Sequence, residues 1–390
     1  MLNSMLMVIL LGFLLTLAPD INAQDTSTFE PISPDNILDL EAIMMWEAAD
    51  NGFVTGTFSH AGDHLAISLN DGTIQLLNAE TFATEQTFLG VAIDGTQLTF
   101  SEDDSRLLLS SFWDGSFQLW DVVSGEILLT SETIQANDWS AFDAQFQQVA
   151  TVREGTLVIL EIDSGEEFVP DISIQSDSNP VWSADGSYVL ISQNDTVNLV
   201  EIASGESLYE FASPIGGNLN GYGFDPETTL FWASWQDWET SREENPSLIQ
   251  FWSVSDGTEY SRLEGQGNRY GRVYFDATGQ RVALIGQNTG LTDVAVIWDL
   301  QKGEFIREVD TTGGALLSSF NPTGELFALH GGTSRMFTIA EVENAAFGAR
   351  AYFDVGNGPN TYPTFSPDGY FLLTATGNAL RLWAVPVTDG

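Results

Sequence analysis

An aromatic residue that opens a polar turn and then a strand-like apolar run returns eight times along this chain, at Phe58, Phe100, Phe142, Trp182, Phe224, Phe275, Phe320 and Phe365. The successive spacings are 42, 42, 40, 42, 51, 45 and 45 residues. Self-similarity at such a period belongs to solenoids and propellers, whose units stack because a single unit cannot bury its own faces.

The last copy, "FSPDGYFLLTATGNALRLW" from Phe365, shows the parts of a unit. Ser366-Pro367-Asp368-Gly369 reads as a turn, because Pro presets φ and Gly tolerates positive φ. Tyr370 to Thr376 follows as a run of aromatic, β-branched and leucine residues, and Gly377-Asn378 opens a second turn. Earlier copies hold Asp71-Gly72, Asp114-Gly115 and Glu154-Gly155 there, all compatible with two-residue hairpins. A third run, here "ALRLWAV", ends in several copies at a further turn: Ser124-Gly125, Ser164-Gly165, Ser204-Gly205, Asp256-Gly257 and Lys302-Gly303. Room for one more strand remains before the next anchor, and no later segment sustains a helical period. The expected fold is all-β, an eight-bladed β-propeller of four-stranded antiparallel blades, since radial closure hides the sheet edges. Seven blades with one irregular unit is the alternative. The last copy stops after its third strand, whereas residues 36 to 46, "NILDLEAIMMW", precede the first anchor by the distance of a fourth strand. That N-terminal strand is predicted to complete the last blade and lock the ring.

"DGSFQLWDVVSGE" (114 to 126) and "VAVIWDLQKGE" (294 to 304) resemble the third strand and exit turn of the WD-repeat β-propellers, and "FSPDG" resembles their first turn. The resemblance spans about residues 32 to 386. "VWSADGSYVLISQND" is also similar to units of periplasmic propellers of the translocation-protein type and of peptidase propellers. The chain departs from the WD pattern: Trp-Asp is complete only at Trp120-Asp121 and Trp298-Asp299, and the Gly-His dipeptide is absent. The family's buried Asp-His-Ser-Trp network is therefore not expected, leaving apolar packing to join the blades.

The 12 basic and 55 acidic residues give a formal net charge of -43, with Lys302 the sole lysine. Nucleic acid and anionic membranes should be repelled. Without cysteine there is no disulfide, thiolate metal site or cysteine nucleophile. Met5 to Ala18 is nearly all apolar and "PDINAQD" follows, so residues 1 to 23 read as a signal peptide cleaved after Ala23, although "MLNS" carries no Lys or Arg. Residues 24 to 390 are then one propeller domain, secreted or periplasmic, with no membrane insertion after signal removal. An uncleaved anchor is the alternative.

No Gly-x-Ser-x-Gly, His-Glu-x-x-His, phosphate-binding glycine loop or EF-hand loop is present. His60 and His64 sit in the first unit's turn and His330 ends a second strand, where structural roles are expected. No metal or cofactor is expected. The longest interval holds "WASWQDWETSREENPSL" (232 to 248), read as a long loop in which Trp235, Trp238 and Arg242 are candidate partner contacts and Trp232 a core residue; the alternative is that these tryptophans fold back over the blade and cover its edge. An Asn-x-aromatic pattern before several first strands adds Tyr222, Arg269 with Tyr270, and Tyr362 on the same face; turn-forming Asn is the structural explanation. The expected function is non-catalytic binding of a protein or peptide partner. The competing reading is a polysaccharide hydrolase or lyase working through channel carboxylates.

Overall fold

The computed structural model describes residues 28–387 except 48–53, 70–71, 91–95, 112–114, 135–139, 173, 175–177, 237–246, 266–268, 288–292, 311–314, 332–335, 344–349, 355–362 and 377–378. Its strands form eight antiparallel sheets, seven of four strands and one of five, arranged as an eight-bladed propeller. The blades occupy residues 55–89, 96–130, 140–168, 181–212, 218–265, 269–310, 315–354 and 364–386. Around most of the ring the first strands of neighbouring blades touch, and Thr364–Phe365 of the last blade meets Thr55–Phe58 of the first. Among the described residues no helix is long and apolar enough to cross a membrane.

Strand alternation explains why these blades need neighbours. In Leu230–Gln236, Leu230 and Trp232 pack toward blade 6, while Phe231, Ala233 and Trp235 pack toward blade 4. Both faces of a middle strand are thus buried, which is why such strands read as nearly continuous apolar runs. One apolar cluster fills each of the eight junctions between blades, including the junction between the last blade and the first.

The predicted closure is present and more elaborate than a single strand. Glu41–Glu47 pairs with Ala379–Pro386 over Ala379 to Ala384, and Phe29–Glu30 pairs with Val385 and Pro386 of the same strand. Between these two pieces the chain leaves the sheet through a 3-10 turn at Ile37–Asp39. The excursion inserts Ile32, Ile37 and Leu40 among side chains of blades 7 and 8, and Phe29 packs between blades 8 and 1. Residues 36 to 40, expected as strand, therefore serve as an apolar wedge, because Ile37 and Leu40 reach the junction only if the backbone departs from the pleat.

Packing is not the only repeating device. The residue after each anchor aromatic is Ser59, Ser101, Asp143, Ser183, Asp225, Asp276, Asn321 or Ser366, and all eight are buried. Each side-chain oxygen accepts the backbone N–H that starts the second strand, from His64, Arg106, Gln148, Tyr188, Leu230, Arg281, Leu326 and Phe371 at 2.6–3.1 Å. The turn between them needs a left-handed residue, supplied by Gly62, Gly186, Gly279, Gly324 and Gly369, and elsewhere by Asp104, Phe146 and Thr228. Apolar packing therefore shares the work with an eightfold side-chain lock.

Asp143 is the costly member of this set. Burial pushes its carboxyl up, against the favourable pull of the Gln148 and Gln147 amides. A raised folded-state pKa means that the folded protein holds this proton more tightly, so stability falls as pH rises from the unfolded to the folded value. Asn keeps the accepting oxygen, as Asn321 does for Leu326 at 2.9 Å. Asp143→Asn is expected to raise Tm at neutral pH, with the gain over the parent shrinking as pH falls into the carboxylate range. Melting curves of both proteins across pH check this; a gain that grows on acidification contradicts it.

Candidate functional site

Antiparallel alternation puts two kinds of connection on one face of the ring: those from second to third strands and those from one blade to the next. The first turns and the turns between third and fourth strands lie on the opposite face. The expected contacts around 237–246, Tyr222 and Arg269 belong to the former, here the loop face.

In blade 5 the second and third strands are Leu230–Gln236 and Ser247–Ser253, so the connection is shorter than the sequence suggests and covers residues 237–246. Trp235 belongs to the strand and is corrected from exposed contact to core. It is 0% exposed, its ring lies edge-on to Trp252 at 5.6 Å, and its indole N–H donates to the Asp195 carbonyl of blade 4 at 3.3 Å. Trp232 is buried toward blade 6, as expected. Trp238 and Arg242 lie outside the described residues, as does Tyr362.

Tyr222 joins Trp235 in the seam between blades 4 and 5. Its hydroxyl donates to the Asn179 carbonyl and lies 3.3 Å from Ser192 Oγ, and burial pushes its pKa up. Its ring packs against the blade 4–5 cluster, so Tyr222 positions the scaffold more than it offers a surface. Asn220 ahead of it is the extra residue of a β-bulge, between the pairs Leu219↔Trp235 and Gly221↔Ser234. Similar bulges fall after Tyr270 and after Ala315 at the same end of the next two first strands. Bulges bend a strand end and re-aim the side chains beside them. Arg269 and Tyr270 open the first strand of blade 6, paired with Gln287 and Gly286.

The composition of the axial strands bears on chemistry. The first strands read TGTF, TQLTF, SAF, VW, NLNGYGF, RYGRVYF, ALLSSF and TF, and none holds a carboxylate or a histidine. In a chain this acidic, the charges they do carry are Arg269 and Arg272.

Sequence reasoning missed the straps on the opposite face. Arg106 donates to the Phe146 carbonyl at 2.6 Å and to both oxygens of Asp163 at 2.7 and 2.8 Å, tying blade 2 to blade 3. Arg281 repeats the arrangement between blades 6 and 7, on the Gly324 carbonyl and Glu343. These are the two blades that retain Trp-Asp. A signal was available, because Arg106 and Arg281 each stand six residues after their anchor aromatics.

His60 lies 3.2 Å from Asp104 of blade 2, whose carboxylate also accepts the His60 and Ala61 amides. His64 sits between Asp63 and Glu85 at 2.8 and 3.1 Å. His60 thus links blade 1 to blade 2, whereas both partners of His64 lie within blade 1. His330 lies in Leu326–Gly331, paired with Leu317 and Phe337. Among the described residues no three His, Asp or Glu side chains are grouped to hold a metal ion. The Trp120 and Trp298 indole N–H groups are buried without a partner among the described residues, whereas Trp383 donates to Thr374 Oγ1 at 2.8 Å.

No protein-family model matches the chain, and no curated protein matches it by sequence. Solved structures do match in shape. The C-terminal WD40 domain of Sif2 superposes with a TM-score of 0.65 at 12% identity, over 89% of this chain and 99% of that domain. The β-propeller domain of Myceliophteria thermophila Cps50 (Swd1) gives 0.54 at 17% identity, over 75% and 96%. The chain therefore has the fold of the WD40 propellers, closed here with eight blades.

Proposed function

We propose that this protein is a non-catalytic extracytoplasmic scaffold that engages a protein or peptide through its loop face. The observation that supports the reading is that, among the described residues, none of the eight first strands lining the axis holds a carboxylate or a histidine. A hydrolase or lyase of the channel type needs a carboxylate pair there as acid and base. WD40 propellers are typically interaction scaffolds, which supports the same direction by fold analogy.

The contact set centres on residues 237–246, which connect two seven-residue strands that are buried almost throughout. Trp238 and Arg242 are the side-chain types that dominate binding hot spots, and the reading adds Arg269, Tyr270 and Tyr362 as further contacts of that face. The strong net negative charge favours a partner that is not itself highly acidic, and argues against nucleic acid. Residues 1–23 supply the address outside the cytoplasm. Affinity capture from the envelope fraction of the producing cell tests the proposal. The parent protein should retain a specific protein partner that Trp238→Ala/Arg242→Ala loses while melting unchanged; capture that survives the double substitution contradicts the assigned face.

A further inference from the structure

On the face opposite those loops, a cavity of about 560 Å³ opens where blades 4, 5 and 6 meet. This size falls within the range of small-ligand sites. Its walls include Asp185, Tyr188, Thr228, Ser253, Ser255 and Tyr260.

Three features separate it from the other clefts. Tyr260 is the extra residue of a β-bulge opposite the Phe251–Trp252 step and remains 49% exposed. With Tyr188 it puts two phenol rings on one cavity, and neither hydroxyl has a protein partner among the described residues. Thr228 occupies the left-handed turn position with φ 56°, where five blades use Gly, although a β-branched residue is strained there. Its buried hydroxyl accepts the Asp185 amide at 3.3 Å, which leaves the hydroxyl proton to donate. Finally, Asp185 is the one carboxyl side chain among the described wall residues, and its Oδ1 is taken up by Ser183 Oγ at 2.7 Å and the Ser187 amide at 3.0 Å. Ser253 and Ser255 hydroxyls pair at 2.9 Å, and Ser253 also hydrogen-bonds the Asp256 carboxylate, so Ser255 is the one of the two with more capacity to spare. By contrast, the cavity between blades 8 and 1 is edged by Asp63, Glu80 and Asp368, and the one between blades 2 and 3 combines four aliphatic side chains with the Arg153–Glu167 ion pair and has no aromatic ring.

We infer that this cavity binds a neutral saccharide. A pyranose presents an apolar C–H face that stacks on an aromatic ring, and a rim of hydroxyls that both donate and accept. The cavity offers rings for the first and uncharged hydroxyls for the second. An anionic sugar would meet the field of a chain with net charge -43.

The site is independent of the loop face, so either assignment can fail alone. Isothermal titration of the full chain with neutral hexasaccharides of glucose, mannose and N-acetylglucosamine, and with a hexagalacturonate, reads it out. At least one neutral probe is expected to bind with Kd of about 0.1–1 mM, and the uronate not to bind. Tyr260→Ala should weaken binding about tenfold at unchanged Tm, and Tyr260→Trp should retain it, because the ring face is what the sugar uses. Absence of binding by every neutral probe up to about 10 mM overturns the inference. So does an affinity that Tyr260→Ala leaves unchanged.

Discussion

A chain lacking residues 29–47 will no longer unfold in one cooperative step. Those residues cover the free edge of Ala379–Pro386 along its whole length, in two collinear pieces. Their loss exposes a long apolar strand edge and empties the places of Phe29, Ile32, Ile37 and Leu40 in two neighbouring junctions. In a stacked architecture each junction supports the next, so an opened ring frays from the break. A milder version separates closure from general truncation damage. Ile37→Ala removes a side chain with no exposed surface and should cost about 2–5 kcal/mol, while Leu38→Ala, at 74% exposure, should stay within about 0.5 kcal/mol of the parent. Denaturant titration followed by circular dichroism and by tryptophan fluorescence checks both. A sharp, coincident and unshifted transition in the truncated chain would mean that closure lies elsewhere.

Trp235→Ala will destabilise the fold by about 3–5 kcal/mol, the range for emptying a large aromatic from a packed core. The indole is in contact with Trp252, which in turn stacks on Phe231 at 5.2 Å and meets Phe211 at 4.6 Å, so the cavity would open in the middle of an aromatic cluster. It would also remove the donor to the Asp195 carbonyl that ties blade 5 to blade 4. Trp238→Ala/Arg242→Ala, just beyond the same strand, is expected to leave the denaturation midpoint unchanged and to act on partner capture alone. Equal midpoints for Trp235→Ala and the parent would contradict the core assignment.

Much of the ring is legible in the sequence, because its logic is local and repeated. Each anchor aromatic, its turn and its following strand recur within one unit, and the incomplete last copy points to the N-terminal segment. Trp235 reads wrongly as a loop residue because the polar run "QDWETSREENP" obscures where the strand ends. The alternation Phe231, Ala233, Trp235 is the better guide, since side chains two apart share a face. The turn lock is also visible, as every anchor is followed by Ser, Asp or Asn, yet its meaning depends on an amide five residues onward being held in place. The straps from Arg106 and Arg281 are not legible as contacts: their partners lie 57 and 62 residues away, and only ring geometry brings them together.

Because the chain contains no cysteine, closure can be tested by a single engineered bond. Met45 and Arg381 face each other in the antiparallel pair between Glu41–Glu47 and Ala379–Pro386, and paired positions of this kind fall within disulfide reach. The protein carrying Met45→Cys and Arg381→Cys, folded and then exposed to a mild oxidant, should lose both free thiols and two hydrogens of mass without forming dimers. Two thiols that stay reactive in the folded protein would contradict a ring closed by its own N-terminal strand.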